Sequence, residues 1–151
     1  MTEIASGTPV VTEMQVIPVA GYDSMLFNLC GAHAPYFTRN IVILKDSAGH
    51  TGIGEVPGGE GIRQALERSC GLVVGKSIGT YNSILNAIRL TFASGKAAHQ
   101  ATVHQVTSES EARVPKQPHE INLRMDNVIT AVEAALLDLL GQHLGVPVCE
   151  L

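Results

Sequence analysis

Residues 31–60 read GAHAPYFTRNIVILKDSAGHTGIGEVPGGE, and this stretch decides the fold. At its centre, Ile41 to Leu44 form an apolar run that is typical of a buried strand. The polar, turn-rich segments on either side carry His33, Arg39, Glu55 and Glu60. A buried strand can hold two flanking loops in fixed positions, and binding residues often lie on such loops. The stretch therefore predicts half of a binding site, with the loops as its functional part.

The chain before this stretch predicts further strands. Between Pro9 and Val19 apolar and polar residues alternate, as in a half-buried strand. Residues 21–23 (GYD) favour a turn, and Met25 to Leu29 predict a strand that returns beside the first. The unit is predicted to be a β-meander.

Within the central stretch, residues 31–38 predict a loop in which Pro35 restrains the backbone and displays His33. The next strand is predicted over residues 39–45. A turn over residues 46–49 then lets residues 51–56 pair back as a short strand.

Three helices are predicted after the strands. The first opens at Glu60, a second covers about residues 80–92, and a third covers residues 124–143. Residues 94–120 are polar and without a sustained period, which favours a long surface loop or a partly disordered insertion. The residues alone thus predict an α+β domain. The predicted domain organisation is a flexible leader at residues 1–8, a domain at residues 9–145 that includes the loop or insertion at 94–120, and the start of a linker at residues 146–151.

Composition excludes several classes of protein. The 151 residues suit one domain. The 14 acidic and 10 basic residues are scattered, so no basic face is offered to nucleic acid. No apolar run approaches the roughly 18 residues of a membrane span, and the N-terminus lacks the pattern of a secretory signal. Three separated cysteines argue against a disulfide framework and favour a reducing, cytoplasmic location.

Two glycine-rich stretches resemble nucleotide-binding motifs but miss their spacing. GLVVGKS, residues 71–77, has three residues between its glycines where a phosphate-binding loop has four, and it follows a helical pattern. Gly52-Ile-Gly54 begins like a dinucleotide fingerprint, yet Pro57 occupies the third glycine position. Both are interpreted as ordinary structural segments.

Of the six histidines, His33 is the candidate ligand-binding residue. A loop stiffened by proline presents it near Arg39, and an imidazole can donate hydrogen bonds to an anionic ligand. An exposed histidine without a function is the alternative. His99, His104 and His119 share no helical face, His50 lies in a predicted turn, and His143 lies at a helix end, so no metal site is predicted from them.

Three segments together resemble a known family. They are TPVVTEMQVIPVAGYDSMLFNL (residues 8–29), the central stretch (31–60) and AVEAALLDLLGQHLGVPV (131–148). They resemble the N-terminal portion of glucarate dehydratases, which are mandelate racemase-like members of the enolase superfamily. The match covers about residues 8–92 and 128–151, and residues 94–120 do not match.

The resemblance implies a capping domain, with a three-stranded antiparallel β-meander followed by a helical bundle that closes over a barrel. Loops matching residues 21–38 and 55–60 would enclose the substrate, and His33 in the GAHAP motif would contact the acid sugar, D-glucarate. The superfamily's established reaction removes a proton beside a carboxylate with a lysine or histidine base and stabilises the enediolate on magnesium.

The resemblance implies that the catalytic base and the magnesium ligands belong to barrel strands beyond Leu151. The barrel is therefore expected to be absent, the chain is expected to look truncated and to be inactive alone, and none of its residues is expected to be catalytic or to bind metal. The alternative is a non-catalytic module with the capping fold that acts through protein–protein contacts. Homo-oligomerisation is left open, and neither nucleic acid nor a membrane is expected as a partner.

Overall fold

The computed structural model describes residues 7–29, 32–103 and 118–151, and it describes side chains outside residues 23–35 and 94–124. Three antiparallel strands form one sheet in the order β1 (Val11–Leu29), β2 (Ala32–Asp46) and β3 (Thr51–Pro57). The helices are α1 (Glu60–Val73), α2 (Tyr81–Val103) and α3 (Pro118–Leu144), with short 3-10 helices at Ile78–Thr80 and Val148–Glu150. The predicted α+β class, a three-stranded meander followed by helices, is confirmed. The described residues contain no barrel strand.

One face of the sheet packs against the helices and forms the core. The burial of β3 alternates strictly from residue to residue, because its even-numbered residues face the helices. Val42 and Leu44 of β2 are fully buried on the same face. From the helices, the fully buried residues include Leu66, Leu85, Ile88, Leu136 and Leu139. None of the described helices has the length and apolar composition that crossing a bilayer requires.

The predicted turn at residues 21–23 is wrong, since β1 continues through it to Leu29. Gly21 instead serves cross-strand packing: a Cβ atom there would lie 2.3 Å from the ring of Phe37, its partner on β2. The pairing of β1 with β2 changes register between Tyr22 and Phe27. The predicted loop at 31–38 is also wrong from Ala32 onward, because these residues pair with β1.

The first helix begins at Glu60 as predicted, but the other two are longer than predicted. The predicted loop over residues 94–120 is wrong for residues 94–103, which extend α2, and for residues 118–120, which begin α3. Alanine has the highest helix propensity, and the extension of α2 over residues 94–103 contains three alanines. Proline is favoured at the first helical position, where Pro118 stands. The rest of the predicted loop, residues 104–117, lies outside the described residues.

Gly52 and Gly54 let α3 lie directly on β3. A Cβ atom on Gly54 would lie 2.0 Å from the carbonyl oxygen of Ala131, and one on Gly52 would lie 2.2 Å from that of Ala135. Any side chain would therefore collide with the backbone of α3. The Gly52-Ile-Gly54 sequence is thus a helix-packing feature.

Two side chains of α3 also cover the outer edge of β3. The Ile53 N–H donates to Oδ2 of Asp138 at 3.0 Å, and Nε2 of Gln142 donates to the Thr51 carbonyl at 2.8 Å. A second bond, from Gln142 Nε2 to Asp138 Oδ1 at 3.0 Å, joins the pair. The helix therefore satisfies part of the strand edge that β2 does not reach.

Residues 71–77 end α1 and extend the sheet. Gly75 has a φ of 81°, a conformation that favours glycine after a helix end. Its N–H donates to the Val11 carbonyl at 2.8 Å, and the Lys76 carbonyl accepts the Val11 N–H at 2.9 Å. These groups pair with β1, so the segment is not a phosphate-binding loop.

A buried carboxylate shapes the turn between β2 and β3. Oδ1 of Asp46 accepts the N–H groups of Ala48 and His50, both at 2.9 Å, and Oδ2 lies 2.8 Å from Nδ1 of His50. Burial raises the pKa of Asp46, but the hydrogen bonds from the His50 side chain and the two backbone N–H groups outweigh it and leave that pKa below its usual value. Asp46 is therefore ionised and acts only as an acceptor.

Candidate functional site

An open hollow of about 380 Å³ lies at one end of the sheet, between the β1–β2 hairpin and the start of α1. Three short segments form its wall: residues 18–20 of β1, residues 38–40 of β2, and the turn from Gly58 into α1. The lining residues are Pro18, Val19, Ala20, Thr38, Arg39, Asn40, Gly58, Gly59, Glu60 and Arg63. Both segments that the resemblance implies as substrate-enclosing, 21–38 and 55–60, begin or end at this hollow.

The turn from Pro57 to Glu60 is fixed to β2 by a buried amide. Asn40 is 1% exposed, and its Nδ2 donates to the carbonyl oxygens of Pro57 and Gly59, both at 3.3 Å. The Gly58 N–H donates to the Thr38 carbonyl at 2.9 Å. Sequence analysis missed Asn40. The signal that could have revealed it is one polar residue at a core-facing position of an otherwise apolar strand.

Glu60 is committed to an ion pair on its own helix. Two guanidinium nitrogens of Arg63 donate to its two oxygens, at 2.8 Å and 2.7 Å, and Gln64 donates at 2.8 Å. The hydrogen bonds from Arg63 and then Gln64 lower the pKa of Glu60 to about 2. The hydrogen bonds to Glu60 in turn raise the pKa of Arg63, which also contacts Glu67. A carboxyl group with so low a pKa stays ionised near neutral pH and is a poor general acid.

Arg39 and Glu55 meet on neighbouring strands. Nε of Arg39 lies 3.0 Å from Oε1 of Glu55, and the guanidinium carbon lies 5.4 Å from the ring centroid of Phe37. The two side chains are 40% and 57% exposed, so the pair is largely solvated and contributes little to stability. Glu55 and Arg39 therefore neutralise each other at the rim of the hollow.

The β1–β2 hairpin projects beyond the rest of the sheet. β3 pairs only with residues 39–45 of β2, whereas residues 32–38 pair only with β1. On this projecting arm the rings of Tyr22 and Tyr36 pack edge to face at 5.4 Å, and both are well exposed. His33 lies on the same arm, with its backbone paired opposite Asn28. Its side chain is not described, so its contact with a ligand stays a prediction.

The described residues do not fit a magnesium ion. In the described part of the chain, no group of three or more histidine, cysteine or carboxylate side chains could hold a metal. The carboxylates near the hollow, Glu55 and Glu60, are each paired with an arginine. Among the described side chains, the hollow therefore offers no set of metal ligands.

Solved structures with this arrangement belong to much longer enzymes. An enolase from Pseudomonas fluorescens, crystallised with magnesium, potassium and tartrate, matches 95% of this chain with a TM-score of 0.72 and 23% identity. An enolase from Mycobacterium smegmatis, in complex with tartrate, matches 98% with a TM-score of 0.68 and 26% identity. In both cases the chain covers 31% of the solved protein. The fold is that of an enolase-superfamily capping domain.

One curated relative, which is also much longer than this chain, is similar over most of the chain. A probable glucarate dehydratase from Streptomyces coelicolor is 28% identical over 138 residues, which are 91% of this chain and 30% of the relative. No family model matches the chain. The predicted resemblance to the N-terminal part of a glucarate dehydratase is therefore confirmed, and the chain spans about a third of the relatives that it matches.

Proposed function

We propose that this capping domain closes the substrate site of a magnesium-dependent acid-sugar dehydratase that converts D-glucarate to a keto-deoxy-glucarate. The proposal rests on one observation: the projecting β1–β2 hairpin and the turn that Asn40 holds in place lie on either side of one open hollow. The named relative is a probable glucarate dehydratase, and two similar structures hold tartrate, a smaller hydroxy diacid. The proposed domain covers residues 9–145.

Within the proposal, each part of the site has a role in binding. His33 on the projecting arm donates a hydrogen bond to the acid sugar, as an imidazole can do for a carboxylate or hydroxyl group. Asn40 holds the turn from Pro57 to Glu60 in place, so that the turn can cover the substrate and exclude water.

The chemistry itself would come from outside the described residues. A bound magnesium ion would stabilise the enediolate, and such electrostatic stabilisation is usually the largest part of catalysis. The described part of this chain gathers no group of three or more potential ligands for that ion. We therefore propose that the 151-residue chain binds and encloses substrate but does not turn it over alone.

A chimera tests the proposal. Residues 9–145 replace the matching segment of the Streptomyces coelicolor relative, and dehydration of D-glucarate is followed with magnesium present. We expect turnover by the chimera and none by the 151-residue chain alone. His33→Ala in the chimera should lower kcat/KM by about 10- to 100-fold, the value of a charge-assisted hydrogen bond. His119→Ala serves as the histidine control. Turnover by the chain alone, or an unchanged kcat/KM in the His33 variant, would contradict the proposal.

A second candidate, a binding module that self-associates, is favoured by the sheet face that the helices leave uncovered. Ile17, Val19 and Ile53 are 39%, 41% and 54% exposed on this face. Exposed apolar patches of this kind often mark interfaces. The proposed occupant is a second copy of the chain, and sedimentation of the purified chain would detect the dimer.

A further inference from the structure

Two histidines meet at the end of β3 that lies opposite the hollow. His50 follows the β2–β3 turn and His143 lies in the last turn of α3. Their ring centroids are 6.4 Å apart, with an angle of 64° between the ring planes. We propose that this pair, named here the His50–His143 clip, binds one divalent transition-metal ion of the zinc class through one nitrogen of each ring. This inference does not depend on the proposed function.

The buried carboxylate of Asp46 fixes the state of His50. Its side chain is fully buried, and Oδ2 lies 2.8 Å from Nδ1 of His50. Because an ionised carboxylate only accepts hydrogen bonds, Nδ1 must carry the proton and donate it. In the neutral imidazole the lone pair is then on Nε2, on the far side of the ring, and the His50 side chain is 30% exposed. Metal-binding histidines typically show this arrangement, in which a carboxylate orients the ring from behind.

The separation of the two rings suits one shared ion. A zinc–nitrogen bond is about 2.0–2.1 Å long, and a ring radius adds about 1 Å on each side. With the tetrahedral angle that zinc prefers, two such bonds place the centroids about 5 Å apart, so the observed 6.4 Å has to shorten when an ion binds. His143 is exposed, so rotation of its side chain can close the remaining gap.

The backbone behind the clip is already held together. Gln142, the neighbour of His143, donates from Nε2 to the carbonyl oxygen of Thr51, the neighbour of His50, at 2.8 Å. Binding an ion therefore requires little ordering of the chain, which keeps its entropic cost low. The ion would link the β2–β3 turn to the end of α3.

The ligand set determines the class of metal. Imidazole nitrogens suit zinc, nickel and copper, whereas magnesium and calcium prefer oxygen ligands. A closed structural zinc site has four protein ligands, but the described residues provide two here, so water would complete the coordination. We expect modest affinity and an accessible ion.

Zinc titration of the full chain tests the clip. We expect calorimetry to show one clip-dependent zinc ion per chain and thermal unfolding to show a higher Tm with zinc, because a ligand that binds the folded state stabilises it. His50→Ala and His143→Ala should each weaken zinc binding at least tenfold, or about 1.4 kcal/mol, and remove the Tm increase. Asp46→Asn should weaken binding less. Magnesium in place of zinc should leave Tm unchanged.

The matched controls are His33→Ala and His119→Ala, which should keep both the zinc affinity and the Tm increase. His143 is exposed, so the His143→Ala variant should fold. It decides the test even if the variants at His50 or Asp46 do not fold. The proposal is overturned if the chain binds no zinc, or if zinc binding and the Tm increase survive the loss of His143.

Discussion

At the scale of single residues, the contact between β3 and α3 depends on two glycines, which have no side chain. Gly54 and Gly52 bring a strand backbone within touching distance of a helix backbone. Since both neighbours are main-chain atoms, neither can rotate away. Substitutions at Gly52 and Gly54 should therefore destabilise the fold much more than a substitution at a glycine that faces open space.

Gly54→Ala should lower the free energy of unfolding by about 1–3 kcal/mol, the usual cost of overpacking, because the new Cβ meets the Ala131 carbonyl. The matched control is Gly71→Ala, since Gly71 lies within α1 and has nothing within 4 Å of its Cβ position. That change should raise the free energy of unfolding by about 0.5–1 kcal/mol through helix propensity. Urea denaturation measures both variants. Equal effects of the same sign would contradict the packing explanation.

The sequence predicted the position of Glu60 but not its contacts, and it did not reveal the role of Asn40. The sequence predicts an ionisable group at the start of α1, and Glu60 stands there. It could not show that Glu60 is bound by Arg63 and Gln64, because side-chain pairing within one turn depends on rotamers. Asn40 was missed because its partners, the Pro57 and Gly59 carbonyls, come together only after the sheet forms.

At the scale of secondary-structure elements, local signals predicted α1 well and the β1–β2 hairpin poorly. The helical spacing of Ile62, Ala65 and Leu66 lies within one segment, so the sequence alone reveals it. The outer part of β2, residues 32–38, contains Pro35 and no valine or isoleucine, and it becomes a strand only through pairing with distant residues of β1. The same dependence on tertiary context explains why the turn at Gly21 was predicted wrongly.

The charges at the start of α1 predict a specific pH dependence. Because the folded-state pKa of Glu60 is about 2, below its ordinary value of 4.5, ionised Glu60 stabilises the fold above pH 4.5. This stabilisation should be lost as the pH falls from 4.5 towards 2. Glu60→Gln should therefore show a smaller decrease in Tm over that range than the unchanged chain does.

Circular dichroism at 222 nm during thermal unfolding, repeated across that pH range, measures this difference. Glu133→Gln on α3 is the control carboxylate, and it should keep the pH dependence of the unchanged chain. If Glu60→Gln loses stability with falling pH as steeply as the unchanged chain, the Arg63 and Gln64 contacts do not stabilise the fold.

At the scale of the whole molecule, the sheet is covered on one face and open on the other. On the open face, Ile17 lies beside Ile41, and Ile43 lies beside Ile53. Ion pairs flank this apolar band: Glu13 with Lys45 at 2.8 Å on one side and Arg39 with Glu55 at 3.0 Å on the other. The band is therefore bordered by charges that already have partners, so a neutral apolar surface suits it best.

If a second copy covers this face, the purified chain should form a dimer in sedimentation equilibrium. Ile53→Lys should then weaken the dimer at least about tenfold, because a lysine would have to be desolvated in the interface. Leu90→Lys on α2 is a control at a position that is 68% exposed. A chain that stays monomeric at high concentration would exclude the self-associating module and leave the dehydratase proposal intact.

The fold class was predictable because the family-like segments coincide with the strands and with the second half of α3. The hollow was not predictable as a shape, since its wall combines three segments that are distant in sequence. Residues of the turn into α1 and of β2 line the same hollow, but the pairing of Arg39 with Glu55 and of Glu60 with Arg63 emerged only from the structure.

The side chains of Asp138 and Gln142 along β3 also affect aggregation. An exposed strand edge is a template on which other chains can add strands. Here α3 occupies hydrogen-bonding groups at Ile53 and Thr51 that such growth would use. On the opposite edge, Pro18 offers no N–H, and the start of β1 is already paired with Gly75 and Lys76. Fibril-like growth therefore meets an obstacle on both sides, which favours a domain that stays dispersed while it folds.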